Sequence, residues 1–198
     1  MKILILHLKT TGLEIKKDKV FELYGNFLYR DKSKKFSIKF KPPSGAPISS
    51  YLTQRHGHFD LSGRLTYVEG FVKLHAILSK LNEVDKNKEK IHLIVYNSFF
   101  SDFIRGFFND NNDMFNNYFY DNVIEVKTFV SWFLKSIRHK MTNFRIENVY
   151  SALEMLKLTD KKFDRNDDFF VLDMMTEMIK ITTNKNNLNL IDSDLTIK

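Results

Sequence analysis

The chain has 198 residues, with 31 Lys and Arg against 24 Asp and Glu, for a formal net charge of +7. It has no cysteine, which excludes disulfide staples, a thiolate metal site and a cysteine nucleophile. Its 43% hydrophobic content includes 19 Phe, enough for a substantial core in a single domain.

The N-terminal apolar run is too short for a signal peptide or a membrane span, so a soluble cytoplasmic protein without a membrane partner is expected. The basic balance permits a polyanionic partner, with the charge read as spread along the chain. Abundant Lys, Asn, Ile, Phe and Tyr are also what an AT-rich coding sequence, viral or phage for example, produces.

Residues 3–13 read as a buried strand entering a tight turn. Residues two apart on a strand share a face, so His7 and Lys9 project together and Leu8 projects the other way. After a charged turn, the β-branched and aromatic run over 20–29 predicts a second strand. Phe36, Ile38 and Phe40 alternate and predict a half-buried third strand over 35–41. All three prolines fall within 42–47 and break regular structure; a short helix is expected over 49–55, with His56 at its end.

Phe71, Leu74, Ile77, Leu78 and Leu81 make one stripe of a helix over 67–81. A hydrophilic linker over 82–90 leads to a nearly continuous apolar strand over 91–97, as in a sheet covered on both sides; His92 is placed at its edge. The next helix is expected to start at Ser101 or Asp102, either serving as N-cap, and to bury Ile104, Phe107 and Phe108. A polar loop over 109–122, a short strand over 123–126 and helices over 128–137, 145–158 and 169–181 complete the pattern. Met174, Met175 and Met178 read as core filler. The expected organisation is one domain over 1–182 and a polar tail over 183–198.

Strands first, then helices alternating with strands, predict an α/β fold with a mixed five-stranded sheet flanked by helices. That order, together with Thr10-Thr11-Gly12-Leu13, resembles the DnaQ-like (DEDDh) 3′–5′ exonucleases of the ribonuclease H-like fold, whose first strand has the form apolar-Asp-x-Glu-Thr-Thr-Gly-Leu. Pro47-Ile48-Ser49 and His56-Gly57 match further anchors of that family, and Asn97-Ser98-Phe99-Phe100-Ser101 matches its Asn-x-x-Phe-Asp.

The resemblance implies a site with four carboxylates holding two Mg²⁺ ions and a His acting as general base. In this chain the two carboxylates of the first motif are replaced by His7 and Lys9. The third falls on Ser101, with Asp102 one residue later. The last motif, His-x-x-x-x-Asp, aligns its Asp with Asp173 and puts Asp168 where the His should be; anchoring on Thr176 instead pairs Asp167 with Leu172.

A lysine at a metal position repels the cation: at ~4 Å and an effective dielectric of ~20, each unit pair is worth roughly 4 kcal/mol, and a divalent ion suffers about twice that. The expectation is therefore a catalytically inactive exonuclease-like protein without a cofactor. It would act as a binding or scaffold subunit with a polymerase or other replication or transcription proteins, with single-stranded nucleic acid as a further partner. Lys9, Thr10, Thr11 and Asn97 are the expected nucleic-acid contacts. The alternative is an active Mg²⁺-dependent 3′–5′ exonuclease with a reduced site of Asp102, Asp168 and Asp173.

Overall fold

A computed structural model describes residues 1–30, 32–83, 89–136, 141, 143–165 and 167–183. The tail is thus outside the described residues from position 184, as are the middle of the 82–90 linker and Asn166. The chain divides into two compact units, Met1–Ile124 and Glu125–Lys198.

The first unit is built on β1 (Lys2–Thr10), β2 (Val20–Tyr29), β3 (Lys32–Lys39) and β4 (Ile91–Val95). The short β5 (Ile124–Glu125) lies at the border between the units. The sheet order is β3-β2-β1-β4-β5, with β1 antiparallel to β2 and parallel to β4. This is the mixed five-stranded sheet that the element order predicts. β1 is apolar on both faces over its first half because it is central, and a central strand has no solvent side. Leu4, Leu6 and Leu8 enter one core with Leu23, Phe27, Ile38 and the helix residues Phe71, Leu78, Ile104, Phe107 and Phe108.

Four features close this unit. Helix α1 (Ser50–His56) is capped by Ser49 and ends where Gly57 takes φ 78°, a left-handed conformation that favours glycine. The His56 side chain lies outside the described residues. Helix α2 (Tyr67–Glu83) opens on a capping box: Thr66 Oγ1 accepts from Glu69 N, and Glu69 Oε2 accepts from Thr66 N. Helix α3 (Ser98–Asp110) packs on β1, β2 and β4, and a 3₁₀ turn follows at Phe115–Asn117, inside the stretch expected to be loop.

The other feature is Lys2, which is fully buried. Its ammonium donates to the carbonyls of Asn82 at 3.0 Å and Glu89 at 2.8 Å, tying the end of α2 to the approach into β4. Lys2→Met would leave these partly buried acceptors without their donor. The expected cost is about 2 kcal/mol, read as a lower urea midpoint with an unchanged slope.

The second unit holds α4 (Val126–Ser136), α5 (Ile146–Met155) and α6 (Phe170–Thr183), with α6 packed on both α4 and α5. Met174, Met175 and Met178 are buried on α6, in keeping with their reading as core filler. Among the described residues no helix is long and apolar enough to cross a membrane.

Candidate functional site

The turn after β1 explains why Thr-Thr-Gly-Leu is present. A register shift falls between Lys9 and Thr10, where the chain leaves the β2 ladder. Thr10 Oγ1 donates to Gly12 O at 2.7 Å. Thr11 Oγ1 donates to Asp18 Oδ1 at 3.0 Å and accepts from Lys19 N at 2.9 Å, while Asp18 Oδ2 accepts from Glu14 N. A Cβ on Gly12 would run into the Asp18 carboxylate and push it from its place beside Thr11. Thr10 is 7% exposed and Thr11 0%. Both hydroxyls are therefore engaged within the turn, and the motif has a structural role independent of any chemistry.

His7 and Lys9 do project from one face of β1, and the register places them opposite Tyr24 and Glu22 of β2. Glu22 is the residue the sequence reading missed. It is 2% exposed and lies at the centre of an ion network. Its Oε2 is 2.8 Å from Lys9 Nζ and accepts the Tyr24 hydroxyl at 2.5 Å, and its Oε1 is 2.7 Å from Arg64 Nη1. The Arg64 contact is an ion pair rather than an aligned hydrogen bond.

Burial pushes the Glu22 carboxyl up, but hydrogen bonds from Lys9 and Tyr24, the Lys9 charge and Arg64 outweigh it and hold the group below the usual carboxylate range. Aromatic rings wall the network. Lys9 Nζ is 5.4 Å from the Tyr24 ring centroid and 5.7 Å from that of Phe59, and the His7 ring meets Tyr24 and the edge of Phe100. The signal for Glu22 in the sequence is a single acid inside the apolar run Val20-Phe21-Glu22-Leu23; such a residue needs a partner once buried.

The third position is corrected in its local structure. Helix α3 starts at Ser98, with Asn97 in the N-cap position, so neither Ser101 nor Asp102 caps it. The helix gains its first turn from ring packing: Phe99 lies 4.8 Å from Phe103, and Phe100 lies against His7. Ser101 is buried and donates to Ser98 O at 2.8 Å within the helix, while Asp102, one residue on, is exposed. Asn97 keeps a buried amide oxygen with no hydrogen-bond partner among the described residues.

Asp168 and Asp173 belong to the second unit. Asp168 is an exposed residue of the turn before α6, and Asp173 lies half-buried in the first turn of that helix, its N–H bonded to Phe169 O. In the same turn Asp167 Oδ1 accepts from Phe169 N at 2.8 Å.

A two-metal centre does not fit the residues of the first unit. The carboxylate at the β1–β2 site is Glu22, and both its oxygens are engaged by Lys9, Tyr24 and Arg64. A hard divalent cation takes several oxygen ligands and would here face an ammonium and a guanidinium. Among the described residues no group of three or more His, Asp and Glu is arranged to hold a metal ion.

No family model and no curated protein sequence matches the chain. Solved structures do match in fold. Product-bound exonuclease I has a TM-score of 0.69 at 13% identity, over 97% of this chain and 45% of that one. A zinc-bound E. coli exonuclease I–ssDNA complex has a TM-score of 0.62 at 12% identity, over 97% and 42%. A 3′-exonuclease that recognises the 3′ end of a histone mRNA stem-loop has a TM-score of 0.62 at 15% identity, over 96% and 64%. The chain spans less than half the length of these exonuclease I chains. The fold is therefore the ribonuclease H-like fold of DnaQ-like exonucleases.

Proposed function

We propose that the protein is a catalytically inactive exonuclease-like protein, acting as a binding or scaffold subunit of a nucleic-acid complex in replication or transcription. The observation that carries this reading is the Lys9–Glu22–Arg64 network, built where the fold's exonucleases would need carboxylates for metal. The serine at the third position, buried and bonded within its own helix, agrees with it. So does the exposure of Asp102, on which the active alternative depends. Exonuclease I itself has been solved with ssDNA and with SSB-Ct, which suits a nucleic-acid complex as the setting of this chain. Polymerase or other replication or transcription proteins are the partners the reading calls for.

The test is incubation of a 5′-labelled single-stranded oligonucleotide with Mg²⁺ or Mn²⁺. The expected result is no shortening beyond a metal-free control. Metal-dependent shortening that disappears in Asp173→Ala would establish the reduced-site exonuclease instead.

A further inference from the structure

The positive charge is concentrated in one short stretch of the chain. Residues 30–41 hold six cations (Arg30, Lys32, Lys34, Lys35, Lys39 and Lys41) and one acid, Asp31. This stretch is β3 and its flanks, and β3 is the edge strand of the sheet. The reading of the charge as spread along the chain is thereby corrected: most of the net +7 lies on one rim.

The rim is continuous with the site. Lys39 stands opposite Glu22 across β2–β3, as Lys9 does across β1–β2, so one row crosses three strands as Lys9, Glu22, Lys39. Lys9 Nζ and Lys39 Nζ lie 5.4 Å and 5.9 Å from the centroid of the same Tyr24 ring. Lys35 shares the face of Lys39, being four residues earlier on the strand. Lys32 and Lys34 point to the opposite face at the outer end of β3, where residues 32–35 are exposed. Lysines on an edge strand also deter edge-to-edge pairing. That role does not call for a row that continues inward past Glu22 to Lys9.

We propose that one face of this rim, Lys35 and Lys39 with Lys9 at its inner end, is the track on which the protein holds the phosphate backbone of single-stranded nucleic acid. The proposal rests on the nucleic-acid setting given under Proposed function and adds the surface that makes the contact. Phosphate binding by lysines is independent of sequence and weakens with salt, because each neutralised phosphate releases a counterion. Glu22 holds the inner lysine in place, while the outer lysines supply most of the attraction.

The test is fluorescence anisotropy of a labelled oligothymidylate in EDTA between 50 and 200 mM salt. The full chain is compared with Lys35→Gln/Lys39→Gln and with a control carrying Lys135→Gln/Lys180→Gln on exposed helix positions of the second unit. Each phosphate contact on a single strand contributes a slope of about 0.7, so the rim variant should lose about 1.4 from its log–log salt slope, with weaker binding, and the control should keep its slope. Because Lys35 is exposed and Lys39 is only half-buried at the sheet edge, the rim variant should keep its circular dichroism and thermal midpoint, which separates lost contact from lost fold.

Equal loss in rim variant and control would overturn the track, as would an unchanged rim variant alongside a weakened Lys9→Ala. Displacement of the oligonucleotide by polyglutamate at equal charge concentration would also overturn it, in favour of an acidic protein partner. Metal-dependent cleavage would defeat the inactive reading and leave the track standing, since binding is measured without metal.

Discussion

Glu22→Gln is expected to lower the stability of the first unit by about 3 kcal/mol, because removing one partner of a buried ion pair strands the charges it was holding. The amide can still accept from Tyr24, but it cannot balance Lys9 and Arg64 together. The half-exposed Lys9 recovers some solvation; Arg64, 13% exposed, recovers little, so most of the loss comes from that side. Urea denaturation at pH 7 measures it.

The substitution should also change the response to pH. The folded carboxyl of Glu22 lies below the ordinary value of about 4.3 that it takes in the unfolded chain. The stability it contributes is therefore complete above that ordinary value and is lost as pH falls through the folded one. Glu22→Gln should flatten this acid limb of the stability profile while lowering the plateau near neutrality. An unchanged acid limb would mean that Glu22 is not the carboxylate holding the site together.

Lys9→Glu is expected to cost a similar amount, about 2 to 3 kcal/mol, and to reverse the sign of the local pH dependence. It sets two carboxylates opposite each other across β1–β2, where like charges at ~4 Å repel by roughly 4 kcal/mol at an effective dielectric of ~20, less what solvent screens at a half-exposed position. Such a pair resists full ionisation, so its folded pKa rises above the unfolded value, and stability is then gained as pH falls through the folded value. Stability profiles between pH 3 and 7 should diverge: the parent chain weakens towards acid, and the variant recovers part of its loss. A variant that weakens in parallel with the parent would rule out direct pairing of these two side chains.

The sheet could be read from periodicity because its strands carry local signatures. Phe36, Ile38 and Phe40 alternate, and β1 is apolar on both faces as a central strand must be. Thr-Thr-Gly-Leu could also be read, although the motif joins two meanings: a turn held by Thr11 and Asp18, which the structure shows, and a metal-binding strand, which the resemblance alone implies.

Glu22 was hidden because its partners are non-local. Lys9 and Arg64 reach it only through strand register and through the segment between α1 and α2, which no pattern in a short window encodes. The start of α3 was misplaced for a related reason. Ser101 and Asp102 have the chemistry of an N-cap, but Phe99 and Phe100 gain contacts from a helix begun earlier. The basic rim is hidden in a charge summed over the whole chain, although its strand, Lys32–Lys39, lies on one edge.

In the proposed reading, Lys9, Glu22 and Arg64 occupy electrostatically the place a catalytic metal would need. Titration of the full chain with Mn²⁺, followed by electron paramagnetic resonance of the unbound ion, tests it most directly. No saturable binding is expected at millimolar metal, and the same for Asp173→Ala. Saturable binding of one or two ions per chain, lost in Asp173→Ala, would contradict it.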